Sequence, residues 1–423
     1  MQQPKQAIEV KDVKGREDFL RRKQLSSISF HYGDEKLASP EAFEEEYQKL
    51  TALYAKKFGI HQNGVQTVGA YQHDRLIAAA TFFPYTVRFD GHDCDMSGVG
   101  GVITDPEARR SGAIRAILTH QFERMRAQGQ IFSMLQPFST EFYRKFGYEA
   151  SVRKVLWEIP IEFMPPASNA GFVRYEGTDA QKQDIKAVYA SYAKELGLSL
   201  VRDDELHWRE HFERWQPYKS GVFAYLHYNA AGQPDAFFAY TMKYNQPSDI
   251  SLDACNSIFY ADTDALRAVL AFVGTYHYHA THVKLYLPEC ADLSFLLPQL
   301  GRAMSEIKRS VCEGWMARVI DAEAVLRLAR YRGEGRFTVR IEDGQCPHNC
   351  DTFAVRFGGG ETQVTRGAQS ADIACSIRAF TTLITGKMGF EDIGYLPEAA
   401  VHGNGETLSR AFYRKPLWIA DYF

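Results

Sequence analysis

The chain has 423 residues, about three times the usual single-domain length, so two or three domains are expected. Hydrophobic residues make up 45% and charged residues 24%, a globular rather than a disordered profile. Forty-nine basic against fifty-two acidic side chains leave a net charge of −3, which argues against bulk nucleic-acid binding. The longest apolar run, residues 268–273, is far short of the roughly twenty a membrane span needs, and residues 1–6 lead into charged sequence without an apolar leader. No membrane association and a cytoplasmic location are therefore expected. Seven scattered cysteines read as reduced thiols there. No metal site is expected: Cys346-Pro347-His348-Asn349-Cys350 lacks a second ligand pair and reads as a Pro-Asn turn between strands.

In the first part, residues 65–104 alternate like an antiparallel meander, with turns at 72–75 and 90–93. Ile114, Ile117, Leu118, Phe122 and Met125 then share one face of a helix. A short apolar strand at 131–135 and a helical turn at 140–146 follow. The composition at 160–169 is the most linker-like in the chain. The middle part offers a strand at 173–175, a helix over 180–192, strands at 221–226 and 236–241, a helix over 262–276 and a strand at 283–287. His277, His279 and His282 sit at that helix end and read as structural. A second seam near 300–314 precedes a helix over 321–329, strands at 335–341 and 352–357, and a helix over 372–384. The fold class is α/β (α+β) with mixed sheets, divided into domains 1–160, 161–308 and 309–423.

The chemistry gathers in the first part. Val102, Ile103 and Thr104 end a strand; Arg109, Arg110, Ser111 and Gly112 turn the chain; Ala113, Ile114 and Arg115 start a helix. The first amides of a helix lack intrahelical partners and sit at the positive end of its dipole, a ready pocket for a pyrophosphate. Arg110 and Arg115 would add charge-assisted bonds, and Gly112 would keep a side chain out of the way. On this segment alone, a plain strand-to-helix connection with solvated arginines serves equally well. After the next strand come Phe138-Ser139-Thr140-Glu141-Phe142-Tyr143-Arg144-Lys145-Phe146-Gly147-Tyr148. Tyr143 and Tyr148 also have a reading as packing aromatics, the stronger for Tyr148.

An arginine-glycine turn, a strand and then Phe-Tyr-x-x-Phe-Gly-Tyr resembles the GNAT family of acyl-CoA-dependent N-acyltransferases. The resemblance implies acetyl-CoA as co-substrate, its pantetheine arm along Val102, Ile103 and Thr104, with Phe138 and Ser139 also in the coenzyme site. It further implies the pyrophosphate on Arg110, Ser111, Gly112, Ala113, Ile114 and Arg115, and Tyr143 as the acid for the departing thiolate. Ile114 departs from the Gly or Ala common in the family. The layout as a whole, with a degenerate second GNAT-like domain and residues 337–343, 346–349 and 376–386 similar to a sterol-carrier protein, resembles the multidomain Eis acetyltransferases. That implies tandem GNAT-fold domains, a sterol-carrier-protein-like third domain, a homo-oligomer (often a hexamer), and the chain's own terminal carboxylate, at Phe423, as the base. The largely apolar end, Trp418 to Phe423, is expected to dock. The expected activity is direct acetyl transfer to a primary amine of an aminoglycoside, polyamine or lysine type, small molecule or peptide. A longer-chain or protein-lysine acyltransferase, or a non-catalytic acyl-CoA or lipid binder, are the alternatives. Phe30, Tyr32, Asp34 and Glu35 are candidates for lining the amine pocket.

Overall fold

The computed structural model describes residues 7–30, 39–58, 64–202, 207–219, 221–246, 249–254, 257–298 and 306–421. They divide into two compact units, Met1–Ser151 with Trp315–Arg414, and Val152–Gly314 with Lys415–Tyr422.

The first unit begins with β1 (Glu9–Asp12), α1 (Gly15–Phe30) and α2 (Pro40–Phe58). The expected meander follows as β2 (Gln66–Gln72), β3 (Arg75–Phe89) and β4 (His92–Thr104). Both of its hairpins turn on two residues of positive φ, His73-Asp74 and Asp90-Gly91, the geometry that matches the twist of paired strands. Next come α3 (Ala113–Ala127), β5 (Phe132–Leu135) and α4 (Thr140–Arg144). The face of α3 read from the sequence is the buried one, packed on Val68, Ala70, Ala78, Ala80 and Phe82 of the meander. β5 runs parallel to β4, as the intervening helix requires.

The chain leaves this unit along β6 (Glu149–Pro160). The second unit contains β7 (Phe172–Arg174), α5 (Asp179–Lys194), β8 (Leu198–Leu200), α6 (Arg209–Arg214), β9 (Val222–Tyr228), β10 (Pro234–Gln246), β11 (Asp249–Ala254), β12 (Ile258–Tyr260), α7 (Thr263–Gly274) and β13 (His282–Pro288). With the first half of β14 (Lys308–Val319), its strands order as β14-β6-β13-β11-β10-β9-β7. The proline-rich stretch that looks like a linker is part of this core: Ile161, Phe163 and Met164 are buried with Val269, Leu270 and Val273 of α7. Apolar residues interleaved with those prolines outweigh the linker-like composition.

The second unit also takes in the chain's C-terminal segment. Leu417-Trp418 pairs in parallel with Leu198-Ser199 of β8, and Trp418, Ile419, Ala420 and Asp421 are buried. Asp421 accepts from Arg202 Nε (3.2 Å) and His211 Nε2 (2.8 Å). Arg202 is fully enclosed, stacked over the rings of Tyr189, Phe259 and Trp208 at 4.2, 4.8 and 5.2 Å. The expectation of a docked tail holds through residue 421.

Back in the first unit, the second half of β14 pairs antiparallel with β5, Met316 to Val319 against Leu135 to Phe132. There follow α8 (Ala322–Leu328), β15 (Gly335–Glu342), β16 (Asp351–Gly358), β17 (Glu361–Thr365), β18 (Ile373–Ser376), α9 (Ile377–Thr385), β19 (Ala399–Val401) and α10 (Gly405–Ala411). Their sheet orders as β17-β16-β15-β18-β19. One expected element is corrected here. Residues 373–376, read as the start of a helix, form β18: Ile373 and Cys375 point into the core, and Ser376 caps α9 by accepting from Ala379 N–H. Four residues are too few to separate period 2 from the helical pattern that follows.

Candidate active site

β4 and β5 are paired only from Met96–Phe132 to Val99–Leu135, where β5 ends. Beyond that point residues 100–104 of β4 have β3 on one side and, among the described residues, no strand on the other. A bulge opposite Ala79 and Thr81, with Gly101 at φ 55°, bends the strand as it separates. Peptide groups of Val102 and Thr104 are thereby left to bond a ligand lying along the edge. Ile103 is buried with Leu25, Tyr71, Leu76 and Ala79, and Val102 packs on the cluster beneath α3.

The turn after β4 is fixed from below. Asp105 is buried, donates its N–H to Ile77 O (2.8 Å), and accepts from Arg75 (2.8 Å) and Arg21. Its carboxylate also accepts from Glu107 N–H and caps the single turn at 106–108. Arg110 (φ 65°) and Gly112 (φ 96°) then adopt left-handed conformations, which set the chain into α3. A Cβ at Gly112 would meet no protein atom, so within the chain itself conformation, and not packing, demands the glycine there. The Ser111 hydroxyl accepts from Ala113 N–H (3.3 Å), and the next amides, of Ile114 and Arg115, have no intrahelical partner. The Ile114 side chain is buried with Ile117 and Leu118, so its bulk does not block approach to the turn. Arg110 is exposed, and the Arg115 guanidinium lies 5.3 Å from the Phe146 ring centroid.

Tyr143 stands on α4, a five-residue helix capped by Ser139, whose hydroxyl accepts from Phe142 N–H (3.2 Å). Its ring makes edge contacts with Phe138, Phe142 and Tyr148 at 5.3, 5.1 and 6.0 Å. Its hydroxyl has no hydrogen-bond partner among the described residues. Burial pushes the phenol well above its ordinary 10, so it is fully protonated at neutral pH. Phe138 is 71% exposed, a large apolar surface beside a buried phenol. Tyr148 is different: it is enclosed, and its hydroxyl shares a 2.7 Å hydrogen bond with Ser133. Its packing reading is the right one.

The residues that resemblance assigns to the coenzyme suit an acyl-CoA. Free strand amides can hold a pantetheine arm, a helix start with open space over a glycine can take a pyrophosphate, and Arg110 can add charge. Family models describing an "Acetyltransferase (GNAT) domain" match residues 16–151 and 198–319, and one describing a "Sterol carrier protein domain" matches 322–420. The fold is shared with a conserved protein of unknown function, a probable N-acyltransferase, from Enterococcus faecalis V583 (21% identity, 99% of this chain and 100% of that one, TM-score 0.78). It is shared also with a GCN5-related N-acetyltransferase from Anabaena variabilis (16%, 99% and 100%, 0.77) and with Eis1 from Mycobacterium abscessus (16%, 99% and 100%, 0.76).

The chain is an Eis-like multidomain GNAT acyltransferase. No curated protein sequence matches it. In this GNAT protein Val102, Ile103 and Thr104 lie on the open part of β4, and Arg110 through Arg115 form the turn and first turn of α3. Phe138, Ser139 and Tyr143 follow β5. Tyr422 and Phe423, and with them the assigned base, lie outside the described residues, as do Tyr32, Asp34 and Glu35; Phe30 is half-exposed at the end of α1. Sequence reasoning missed Asp105 and its arginines. An aspartate before proline gave a capping signal, but Arg21 and Arg75 are brought to it only by the fold. Replacing Arg110 with alanine is expected to raise the Michaelis constant for acetyl-CoA about 10- to 100-fold, the worth of a charge-assisted bond of about 1.5–3 kcal/mol, with turnover little changed. Initial rates across coenzyme concentrations check this, and an unchanged constant would move the pyrophosphate elsewhere.

Proposed function

We propose that this chain transfers an acetyl group from acetyl-CoA directly to a primary amine in a ternary complex. The observation that supports it most is the convergence, within one unit, of the open edge of β4, the glycine-arginine turn and the buried phenol of Tyr143. When bound, acetyl-CoA supplies an acyl group as a thioester open to attack by an amine. The β4 edge and the turn orient it. Tyr143 Oη donates a hydrogen bond to the sulfur as the C–S bond breaks and the N–C bond forms, and the sulfur leaves as a thiol. An apolar wall also raises the basicity of a thiolate placed against it, which narrows the gap to the phenol.

The proton from the amine goes, by resemblance, to the terminal carboxylate at Phe423. Burial of residues 418–421 supports that assignment, because the segment leading to that residue is docked. Aminoglycosides, polyamines and lysine side chains are the acceptor classes. The working form, by the same resemblance, is a homo-oligomer, a hexamer, and the scattered cysteines favour a cytoplasmic location.

The test is release of free thiol from acetyl-CoA with a panel of polyamines, aminoglycosides and lysine peptides, with longer acyl-CoAs in parallel. Amine-dependent release with acetyl-CoA is expected. Release only with longer acyl chains would change the donor, and coenzyme binding without release would leave a binding protein.

A further inference from the structure

The sequence motif Phe146-Gly147-Tyr148 is met by a side chain from far along the chain. Arg318, on β14, stands opposite Ser133 of β5 and is fully enclosed. Its Nη1 donates to the Phe146 carbonyl. Its Nη2 donates to both carboxylate oxygens of Asp343, at 2.8 and 2.7 Å, and lies 2.9 Å from Cys346 Sγ. The guanidinium is 4.4 Å from the Phe122 ring centroid. Gly147 has φ 83°, and a Cβ there would fall 1.7 Å from Arg318 Nη1, so the guanidinium occupies the space a side chain would need.

Asp343 is held in turn. Its Oδ1 accepts from the amides of Gln345 and Cys346 (3.0 and 3.1 Å) and its Oδ2 from Asn349 Nδ2 (3.0 Å). Asn349 also accepts from Ala322 N–H (2.9 Å). The Cys346–Cys350 turn thus serves an arginine clamp. On the other side, the amides of Phe146 and Tyr148 donate to the Tyr143 carbonyl at 2.9 and 3.3 Å. A five-residue helix does not fix its own position, and the Tyr143 hydroxyl has no anchor among the described residues.

We propose that Arg318 and Asp343 are positioning residues for Tyr143: Arg318 of β14, held by Asp343 of the sterol-carrier-like part, clamps the Phe146-Gly147 peptide and so sets where the phenol stands. The proposal rests on the reading of Tyr143 as the acid. A buried ion pair of this kind adds little stability over apolar residues of equal volume, whereas donation from Nη1 to the Phe146 carbonyl and from Nη2 to the Asp343 carboxylate fixes the direction of the guanidinium.

The experiment is a double-mutant cycle on the full chain, with kcat and the acetyl-CoA KM measured for Arg318→Lys, Tyr143→Phe and the double variant, and near-ultraviolet circular dichroism to show folding. A lysine keeps the charge but has no planar fork to span Asp343 and the Phe146 carbonyl. Arg318→Lys is expected to lower kcat about 10- to 100-fold, the cost of misplacing a catalytic group by about 1 Å, with KM within about threefold. In the Tyr143→Phe background the same change is expected to cost less than about twofold, since there is no hydroxyl left to misplace. Equal losses in the two backgrounds, or a kcat within twofold of the parent, overturn the proposal. Near-normal turnover in Tyr143→Phe alone overturns the reading of Tyr143 first, which separates the two failures. If Arg318→Lys does not fold, Asp343→Asn carries the same cycle; if neither folds, the pair is structural in its whole effect and the proposal fails.

Discussion

Tyr143→Phe is expected to lower turnover by about 10²–10⁴-fold, the range for a general acid, while acetyl-CoA binding holds. Phenylalanine keeps the ring contacts with Phe138, Phe142 and Tyr148, so the loss isolates the hydroxyl. The pH dependence carries a second expectation. The donating form is the protonated phenol, and burial raises its pKa, so Tyr143 sets no alkaline limb below about pH 10. A rate that falls between pH 7 and 9 therefore reports another group. Measured turnover of Tyr143→Phe within a few fold of the parent would remove it from the mechanism.

Asp421→Ala is expected to destabilise the second unit by about 3–5 kcal/mol, the usual cost of leaving a buried charge without its partner. Arg202 has no side-chain exposure, and its Nη1 and Nη2 already lack hydrogen bonds, so Asp421 is its one carboxylate partner among the described residues. Urea unfolding would show the loss, and limited proteolysis should then cut within residues 415–421, which the parent protects. Stability should also fall in acid. Burial first, and the Arg202 charge second, outweigh Asp421 and hold the His211 pKa down at about 4; Arg214 pushes the same way. Below the ordinary pKa of about 6.5 the unfolded chain takes up this proton and the folded one does not, so stability falls between about pH 6.5 and 4, on the order of 3 kcal/mol in all. The Asp421 carboxylate adds a loss at lower pH. Burial alone would raise its pKa, but Arg202, then His211 and His207, hold it well below the carboxylate range, so its share disappears only below about pH 4. His211→Gln should flatten the limb between pH 6.5 and 4. A parent equally stable at pH 7 and 4.5 would contradict the burial of a neutral histidine. Extending the chain past Phe423 tests the assigned base without touching this anchor: transfer should be lost, with unfolding unchanged.

Where a single element dictates its own pattern, the sequence is enough. The stripe of Ile114, Ile117, Leu118, Phe122 and Met125 places α3, and the turn before it places Gly112. α1 is absent from the sequence reading because Leu25 is the buried residue on that charged helix, so no stripe repeats. The parting of β4 from β5 is invisible because it depends on where a neighbouring strand stops. The Arg202-Asp421-His211 cluster and the Arg318-Asp343 clamp join residues far apart in sequence, and an isolated Arg or Asp reads as solvated until the fold encloses it.

The pairing of β5 with Met316–Val319 also has a consequence for how the protein is made. All four residues of β5 are buried, yet the strand that covers its far edge is synthesised much later. Roughly 180 residues separate the two, so at about 5–20 residues per second the ribosome leaves that edge open for on the order of ten to forty seconds. During that interval the nascent chain carries an apolar strand with one edge unpaired, the kind that other chains can pair with. Ribosome-bound fragments ending before residue 315 should therefore bind chaperones or aggregate, and those reaching past α9 should not.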